Sequence, residues 1–279
     1  MNDVFVYYIW SWQDIENIAD WDQPILYSIA SLRRWNKTVK VIVIDIGLGN
    51  INWDHWPTTL NFEILHNYCE KICNLNKNCD FTSLVLRKPI CCHKLSNDLS
   101  YSRMIVCDAD IIWLKNPLPL AGNPNFFCHN KENSGFFYFS KNNEGHLFLR
   151  RWSYQCRLCV ENEKYRNEIH LWAKKLSHRN PEILLLEEDV MLYTQIKLSN
   201  NHLCKFTQDV LIAGNCKNIK PHKGVHFHSH LKVCKTAFIK QCKEVVNVLK
   251  EVLPAELFGF NLPMSKSCEL IEIIKGNQI

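Results

Sequence analysis

Residues Met104 to Leu114, MIVCDADIIWL, place two carboxylates inside an otherwise apolar stretch. Burying an unpaired charge is expensive, so Asp108 and Asp110 either cap the end of a buried strand or hold a positive group. The apolar run MIVC indicates a strand, and Asp108 stands where that strand ends. In an open parallel sheet, ligands bind beyond the carboxyl ends of the strands. The pair therefore stands where such a sheet would place a binding site.

The spacing of the two aspartates suits a divalent cation. If the chain stays extended, residues two apart point the same way, so Asp108 and Asp110 would present oxygen ligands on one side. Such ligands suit Mg²⁺ or Mn²⁺, which keep further positions for water and for substrate phosphate. The alternative is that the aspartates cap the turn through backbone amides. The strand before them and the IIWLKNP that follows favour the metal.

Strands and helices alternate along the chain outside this segment. Strands are predicted at Val4–Trp10, Val39–Ile46, Phe62–Leu65, Met104–Cys107, Asn125–His129, Gly135–Ser140 and Val225–Phe227. Helices are predicted at Pro24–Trp35, Leu84–Asn97 with a break near Pro89, Glu144–Cys159, Ile169–Leu176, Glu188–Ile196 and Ala237–Leu253. Arg33 and Arg34 are expected on the solvated face of the first helix. This alternation predicts an α/β fold with a mainly parallel central sheet flanked by helices and with a helical C-terminal tail.

Composition limits the class of protein. Of the 279 residues, 47% are hydrophobic and 22% are charged, which is typical of a soluble globular protein. The net charge of +5 comes without a basic arm, so we expect no nucleic-acid partner. The N-terminal MNDVFVYYIW lacks the basic start of a signal peptide, and no apolar segment reaches the roughly 18 residues of a membrane span. We therefore expect a cytoplasmic protein without a membrane span.

The 14 cysteines are irregularly spaced, and we expect most of them to be reduced. A chain of this length can build a core without disulfides, and a free thiol in an apolar run acts as a small hydrophobe. Cys156 and Cys159 form a lone CxxC in a helical context, which is weak evidence for zinc. Neither standard phosphate-cradling loop, GxGxxG or GxxxxGKS, is present in the sequence.

Residues 101–117, YSRMIVCDADIIWLKNP, resemble the DxD segment of nucleotide-sugar glycosyltransferases of the GT-A fold. The segment is most similar to that of the glycogenin-like family and of the plant and protist family with a "DVDVVWL-NP" segment. The resemblance implies a Rossmann-like α/β domain in which the DxD binds a divalent cation, usually Mn²⁺, that bridges the two phosphates of a UDP-sugar. It makes Asp108 and Asp110 the ligands and puts Asp108 near the ribose and the sugar.

A second motif follows at Asn133-Ser134-Gly135, which resembles the "NSG" strand start of these families. The resemblance implies that Asn133 faces the donor sugar and that the small Ser134 and Gly135 let the backbone approach it. The alternative is an ordinary polar turn before a strand, since all three are common turn residues. The order of the motifs along the chain favours the site.

A third motif, EEDVML at residues 187–192, resembles the "DQxxLN" and "DExxLN" segments of related enzymes. Glu188 and Asp189 fall on its first two positions, while Tyr193 replaces the Asn. The resemblance puts these two acids beside the anomeric carbon, where they would hold the acceptor hydroxyl or stabilise an oxocarbenium-like state. The alternative is a pair of acids at a helix start, where the helix dipole favours negative charge.

A fourth motif, GVHFHSHLK at residues 224–232, resembles "HFxGxxKPW" of the glycogenin-like enzymes but lacks its Gly and its Pro-Trp. The resemblance makes His226 the third protein ligand of the metal and lets Lys232 contact the diphosphate. A Lys charge suits a leaving group whose negative charge grows as the glycosidic bond breaks. His228 is the alternative ligand if the register slips by two residues.

The nucleotide pocket is the remaining part of the expected site. In similar enzymes an aromatic side chain near the end of the first strand stacks on uracil, which makes Tyr7, Tyr8 or Trp10 a candidate. Packing of these aromatics in the core is an equal alternative. Lys88 or Arg87, on the helix before the DxD, could reach the phosphates.

Together the motifs predict a metal-dependent glycosyltransferase. It would move xylose, galactose or glucose from a UDP-sugar to a hydroxyl of an oligosaccharide or glycoprotein glycan, and the resemblance favours retention of the anomeric configuration. One alternative is a zinc-binding interaction module that uses the cysteines and the four histidines at 222–230. Another is an inactive protein of the same fold that binds sugar nucleotides.

The same resemblance sets the expected division of the chain. Residues 1–235 would form the GT-A domain, with a nucleotide-binding part at 1–115 and an acceptor side at 116–235. Residues 236–279 would form a helical extension packed on that domain.

Overall fold

The computed structural model describes residues 2–9, 22–46, 58–66, 68, 81–109, 111–118, 126–130, 133–141, 143–177, 185–198, 204–206, 211–213 and 223–226. Trp10, Asp110, His228, Lys232 and the helix predicted at Ala237–Leu253 lie outside the described residues.

The described chain forms ten strands and five α-helices. The strands are β1 (Asp3–Ile9), β2 (Lys40–Asp45), β3 (Glu63–His66), β4 (Arg103–Cys107), β5 (Ile111–Trp113), β6 (Phe126–Asn130), β7 (Asn133–Ser140), β8 (Cys204–Phe206), β9 (Leu211–Ala213) and β10 (Gly224–His226). The helices are α1 (Asp22–Trp35), α2 (Phe81–Asp98), α3 (Asn143–Glu161), α4 (Glu163–Ser177) and α5 (Glu187–Tyr193). A 3₁₀ turn covers Thr58–Leu60, and a π-helical turn, Thr194–Leu198, continues α5.

Seven strands form the main sheet, in the order β3-β2-β1-β4-β7-β6-β8. The pairs β3–β2, β2–β1, β1–β4 and β6–β8 are parallel, while β7 is antiparallel to both of its neighbours. Among the described strands of this sheet, β7 is therefore the one that runs against the others. The mainly parallel α/β fold flanked by helices is confirmed.

The central strands are buried on both faces, as expected for parallel strands covered by helices. Successive side chains of β1 point to opposite faces, so Tyr7 and Tyr8 meet different helices. The Tyr7 hydroxyl accepts a hydrogen bond from Ser28 Oγ of α1 at 3.1 Å, and the Tyr8 hydroxyl donates to the Leu84 carbonyl of α2 at 2.7 Å. Helices α1 and α2 thus cover opposite faces of the sheet.

A smaller sheet has the order β5-β10-β9. Strand β5 is antiparallel to β10 and places Ile111 opposite His226. The backbone N–H of Trp113 donates to Ser31 Oγ at 2.9 Å, which ties this sheet to α1. The sequence predicts β10, although shifted by one residue, but it does not predict β5, β8 or β9, because three residues carry no measurable periodicity.

The predicted break near Pro89 is wrong. Helix α2 runs without interruption from Phe81 to Asp98 with Pro89 inside it. An internal proline removes one helical hydrogen bond and clashes with the preceding turn. Packing against the sheet and against α3 keeps the helix continuous in spite of that cost, as tertiary contacts often do.

The solvated position expected for Arg33 is also wrong. Its guanidinium is buried and donates to the carbonyl oxygens of Leu60 at 2.6 Å, of Asn36 at 3.0 Å and of Val39 at 2.7 Å, as well as to that of Asn61. Arg33 therefore satisfies the carbonyls of two connecting segments, which a pattern of charges along a helix cannot reveal.

The core encloses the CxxC pair. Cys156 and Cys159 are free thiols on α3, fully buried in the hydrophobic cluster between α2, α3 and the sheet. Burial raises the pKa of both thiols, that of Cys159 to about 12, and the two side chains pack in the core as small apolar groups. Within the described residues, no helix is both long enough and apolar enough to cross a membrane.

Candidate active site

The site lies at the edge of the main sheet where β4 ends. Cys107 is the last residue of β4 and pairs with Phe136 of β7. One residue further, the backbone N–H of Asp108 donates to the Gly135 carbonyl at 2.7 Å. Because β7 runs against β4, its first residues lie beside the last residues of β4. The topology therefore brings the DxD segment and the NSG segment together.

The two oxygens of the Asp108 carboxylate have different partners. Oδ1 accepts a hydrogen bond from Lys88 Nζ at 2.5 Å, and Oδ2 lies 3.5 Å from Nε2 of His226. Burial alone would raise the pKa of Asp108, but the Lys88 charge, with a contribution from His226, lowers it well below its usual range. Asp108 is therefore an anion at neutral pH, with one oxygen bound to Lys88 and the other facing His226.

Lys88 is the cation of the described site. Its side chain is 2% exposed, and besides Asp108 its ammonium donates to the Ser134 carbonyl at 2.9 Å. Oε1 of Glu187 lies 3.7 Å from the same nitrogen. Burial alone would lower the pKa of Lys88, but the Asp108 and Glu187 carboxylates outweigh it and raise the pKa. The sequence predicts that Lys88 contacts phosphate, whereas in the structure its ammonium already has three protein oxygens around it.

The start of α5 brings three acids to this edge, and each has its own contact. Glu187 Oε1 accepts a hydrogen bond from the Ser134 hydroxyl at 2.8 Å, and Glu188 Oε1 accepts from the Ser134 backbone N–H at 3.3 Å. Oδ2 of Asp189 accepts from the backbone N–H of Leu186 at 3.0 Å, which caps the helix start. Asp189 thus makes the helix-start contact that the sequence left open as an alternative.

Glu187 is the acid that the sequence comparison missed. It is buried against Ser134 and Lys88, and its backbone carbonyl accepts from Nε1 of Trp152 at 3.0 Å. Burial raises the pKa of Glu187, and the Lys88 charge opposes this only in part. The motif comparison assigned the next two residues, because a run of three acids does not show which carboxylate turns inward.

The residues around Asp108 fit a divalent cation. Neighbouring ligands of an octahedral ion at about 2.0–2.1 Å stand roughly 3 Å apart, close to the 3.5 Å between Asp108 Oδ2 and His226 Nε2. A mixed carboxylate and imidazole donor set favours a transition ion such as Mn²⁺ over Mg²⁺. The described residues contain no group of three or more metal-ligating side chains, and the second aspartate of the DxD, Asp110, lies outside them.

The other predicted residues are distributed as follows. Gly135 contacts Asp108 through its backbone, and Asn133 begins β7, although its side chain is outside the described part of the chain. Tyr7 and Tyr8 are 0% and 3% exposed and make the core contacts described above, which is the packing alternative for these two rings.

A cleft of about 450 Å³ lies at the opposite edge of the sheet, lined by residues such as Asp3, Lys40 and Ser100. Its charged groups are paired within the protein. Arg103 Nη2 lies 2.7 Å from Asp3 Oδ2, and Lys40 Nζ lies 2.9 Å from Glu63 Oε2. The strands begin at this edge, so the cleft is remote from Asp108, and its size alone does not make it the site.

The solved structures similar to this chain include that of the galactosyltransferase LgtC in complex with donor and acceptor sugar analogs, with a TM-score of 0.49, 9% identity and coverage of 92% of this chain and 99% of that chain. For mouse xyloside xylosyltransferase 1 the TM-score is 0.48 and the identity is 10%, with coverage of 82% of this chain and 98% of that chain. For the glycosyltransferase GlyE of Streptococcus pneumoniae TIGR4 the TM-score is 0.44 and the identity is 10%, with coverage of 89% of this chain and 62% of that chain. No curated protein sequence matches the chain.

The sequence model of one family matches residues 41–158, and its description is nucleotide-diphospho-sugar transferase. The matched stretch begins in β2 and ends in α3, so it contains Lys88, the DxD segment and the NSG segment. Glu187 and His226, which complete the described cluster, come later in the chain. Through residues 41–158, the chain is similar to the nucleotide-diphospho-sugar transferase family.

Proposed function

We propose that the protein is a metal-dependent glycosyltransferase that moves a sugar from a UDP-sugar to a hydroxyl of an oligosaccharide or glycoprotein glycan. The observation that carries the proposal is that the two oxygens of Asp108, at the end of β4, have different partners. One accepts a hydrogen bond from Lys88, and the other faces His226. This Asp108 oxygen and the imidazole nitrogen that faces it would be two ligands of one divalent cation.

In this proposal Asp108, Asp110 and His226 hold Mn²⁺, with His228 as the alternative to His226. When bound, the cation would act as a Lewis acid on the leaving UDP. Lys232 would add positive charge at the diphosphate as the glycosidic bond breaks. Lys88 would act on the same group through Asp108, since its ammonium is already surrounded by protein oxygens.

The sugar would lie over the NSG segment. Asn133 would face the donor sugar, while Ser134 and Gly135 would let the backbone approach it. Glu188 and Asp189 would lie on the acceptor side, where a carboxylate can hold the attacking hydroxyl. Tyr7 and Tyr8 would support the nucleotide-binding side of the site from within the core, because their buried rings present no exposed face for stacking on the base. Xylose, galactose and glucose are the donor sugars that we propose, with retention of the anomeric configuration.

The division into a GT-A domain at 1–235 and a helical extension at 236–279 stays a prediction, as does a cytoplasmic location.

A screen of UDP-sugars for slow hydrolysis in Mn²⁺ tests the proposal. We expect UDP release from at least one of UDP-xylose, UDP-galactose and UDP-glucose, loss of that release in EDTA, and loss of both turnover and Mn²⁺-dependent UDP binding in Asp110→Ala. Asp98→Ala is the matched control, because Asp98 ends α2 and accepts a hydrogen bond from Tyr68 at the exposed surface. It should release UDP at the wild-type rate.

Unchanged turnover in Asp110→Ala would overturn the assignment of the metal site. Stoichiometric zinc that survives dialysis, without UDP release from any donor, would support the zinc-binding interaction module instead. Mn²⁺-dependent UDP binding without turnover on any donor or acceptor would support the inactive protein of the same fold.

A further inference from the structure

We propose that Glu187 is a positioning residue of the metal site: through Lys88 it keeps one oxygen of Asp108 available to the cation. The inference rests on the proposed function, since it concerns the same site. It adds Glu187, which lies outside the DxD, NSG and His226 motifs and directly precedes Glu188 and Asp189, the two acids matched to the third motif.

Three groups form a closed arrangement around Ser134. Lys88 Nζ donates to the Ser134 carbonyl at 2.9 Å, and the Ser134 hydroxyl donates to Glu187 Oε1 at 2.8 Å. The same Glu187 oxygen lies 3.7 Å from Lys88 Nζ. The ammonium is thus held between Glu187 of α5 and Asp108, which follows β4, with the Ser134 carbonyl of β7 as its third partner.

The placement matters because Lys88 and a metal ion are attracted to the same carboxylate. Lysine is a compact charge on a flexible stem, so its position depends on its partners. With Glu187 on one side, the ammonium is shared between two anions and binds only Oδ1 of Asp108. Without the Glu187 charge, Asp108 is the nearest anion to the ammonium, with Glu188 acting more weakly, and the ammonium would compete with the cation for both Asp108 oxygens.

Charge balance gives the same direction. Lys88, Asp108 and Glu187 together carry one net negative charge when both acids are ionised, and Glu188 adds a further carboxylate nearby. Neutralising Glu187 lowers the negative excess by one charge, so a divalent cation gains less from entering the site. Groups that orient a ligand of a metal typically change its affinity by about 10–100-fold when they are mutated.

The test is the affinity for Mn²⁺ in the presence of UDP, measured by the electron paramagnetic resonance of free Mn²⁺. Glu187→Gln keeps an acceptor for the Ser134 hydroxyl but removes the charge, and we expect its Kd for Mn²⁺ to rise by about 10-fold or more. Ser134→Ala loosens the same arrangement and should raise the Kd less. Glu163→Gln, which makes the same change in the exposed first turn of α4, is the matched control and should bind Mn²⁺ like the wild type.

The thermal unfolding midpoint of each variant is measured on the same samples. A variant that only loosens the fold lowers this midpoint but leaves the Mn²⁺ Kd of the folded protein unchanged. A folded Glu187→Gln protein with the wild-type Kd overturns the inference while the proposed function stands. A wild-type protein that binds no Mn²⁺ with UDP overturns the proposed function, and the inference with it.

Discussion

At the scale of single residues, the ammonium of Lys88 organises the described site before any ligand arrives. Lysine is almost never fully buried unless it is paired, and Lys88 has two carboxylates within 3.7 Å of its nitrogen. Removing one partner of a buried ion pair leaves an uncompensated charge, which costs more than the pair contributes. The site therefore depends on Lys88 for its stability as well as for its geometry.

Lys88→Met should lower the free energy of unfolding by about 3–5 kcal/mol at pH 7, because Asp108 and Glu187 lose their common counter-charge. Urea unfolding followed by circular dichroism measures the change. Lys94→Met on the same helix is the control, since Lys94 only stacks on the Tyr68 ring with its nitrogen 4.8 Å from the ring centre, and we expect a loss of about 1 kcal/mol or less. Equal losses in the two variants would contradict this account of Lys88.

At the scale of elements, α2 and α3 pack with one histidine of each helix in contact, and the two ring planes are tilted by 49°. The ring centres of His93 and His146 are 5.4 Å apart, and His146 Nδ1 lies 3.4 Å from Ser96 Oγ. Burial lowers the pKa of His93 to about 4, with further lowering from His146 and from Arg150 and Arg157 of α3. The interface is therefore built for neutral imidazoles.

Protonation of these histidines should weaken the protein in mild acid. An unfolded histidine has a pKa of about 6.5, so the unfolded chain binds more protons than the folded chain between pH 6.5 and about 4. The His93 contribution to stability is complete above pH 6.5 and is lost as the pH falls toward 4. His93→Gln should flatten the decline in urea midpoint across this window, whereas an identical decline in variant and wild type would show that His93 does not cause it.

At the scale of the whole molecule, ligands that bind only the folded chain should stabilise it. A ligand at 100 times its Kd adds about 2.7 kcal/mol. Mn²⁺ with UDP should therefore raise the unfolding midpoint by several degrees, while UDP with EDTA should raise it much less, because the diphosphate is proposed to bind through the cation. Differential scanning fluorimetry measures both conditions. An equal shift with and without metal would show that UDP binds without the cation, which would contradict a role of the DxD in UDP binding.

The sequence predicts the main sheet well because its long strands are apolar throughout. The run predicted at Val4–Trp10 appears as Asp3–Ile9, and the run at Val39–Ile46 appears as Lys40–Asp45. Strands such as Cys204–Phe206 escape prediction because three residues show no period. The continuous helix through Pro89 escapes it because packing outweighs a local preference.

The residues of the site are likewise predicted only in part. Motif order places Asp108, Ser134 and His226 in one site, and the structure brings all three together. The partners of Lys88 could not be predicted, since sequence gives no direction for a side chain on a buried helix. The sequence does not single out Glu187 from its two neighbours, because the motif fixes a position along the chain but not which of the three acids turns inward.

The pairing of β5 with β10 has a consequence for how the protein is made. More than a hundred residues separate Asp108 from His226 in the sequence, yet Ile111 and His226 are directly opposite each other. At about 5–20 residues per second of synthesis, the acidic segment leaves the ribosome on the order of ten seconds before the histidine that faces it. Lys88 precedes Asp108 by 20 residues, so the ammonium that binds this carboxylate in the folded protein is synthesised well before His226.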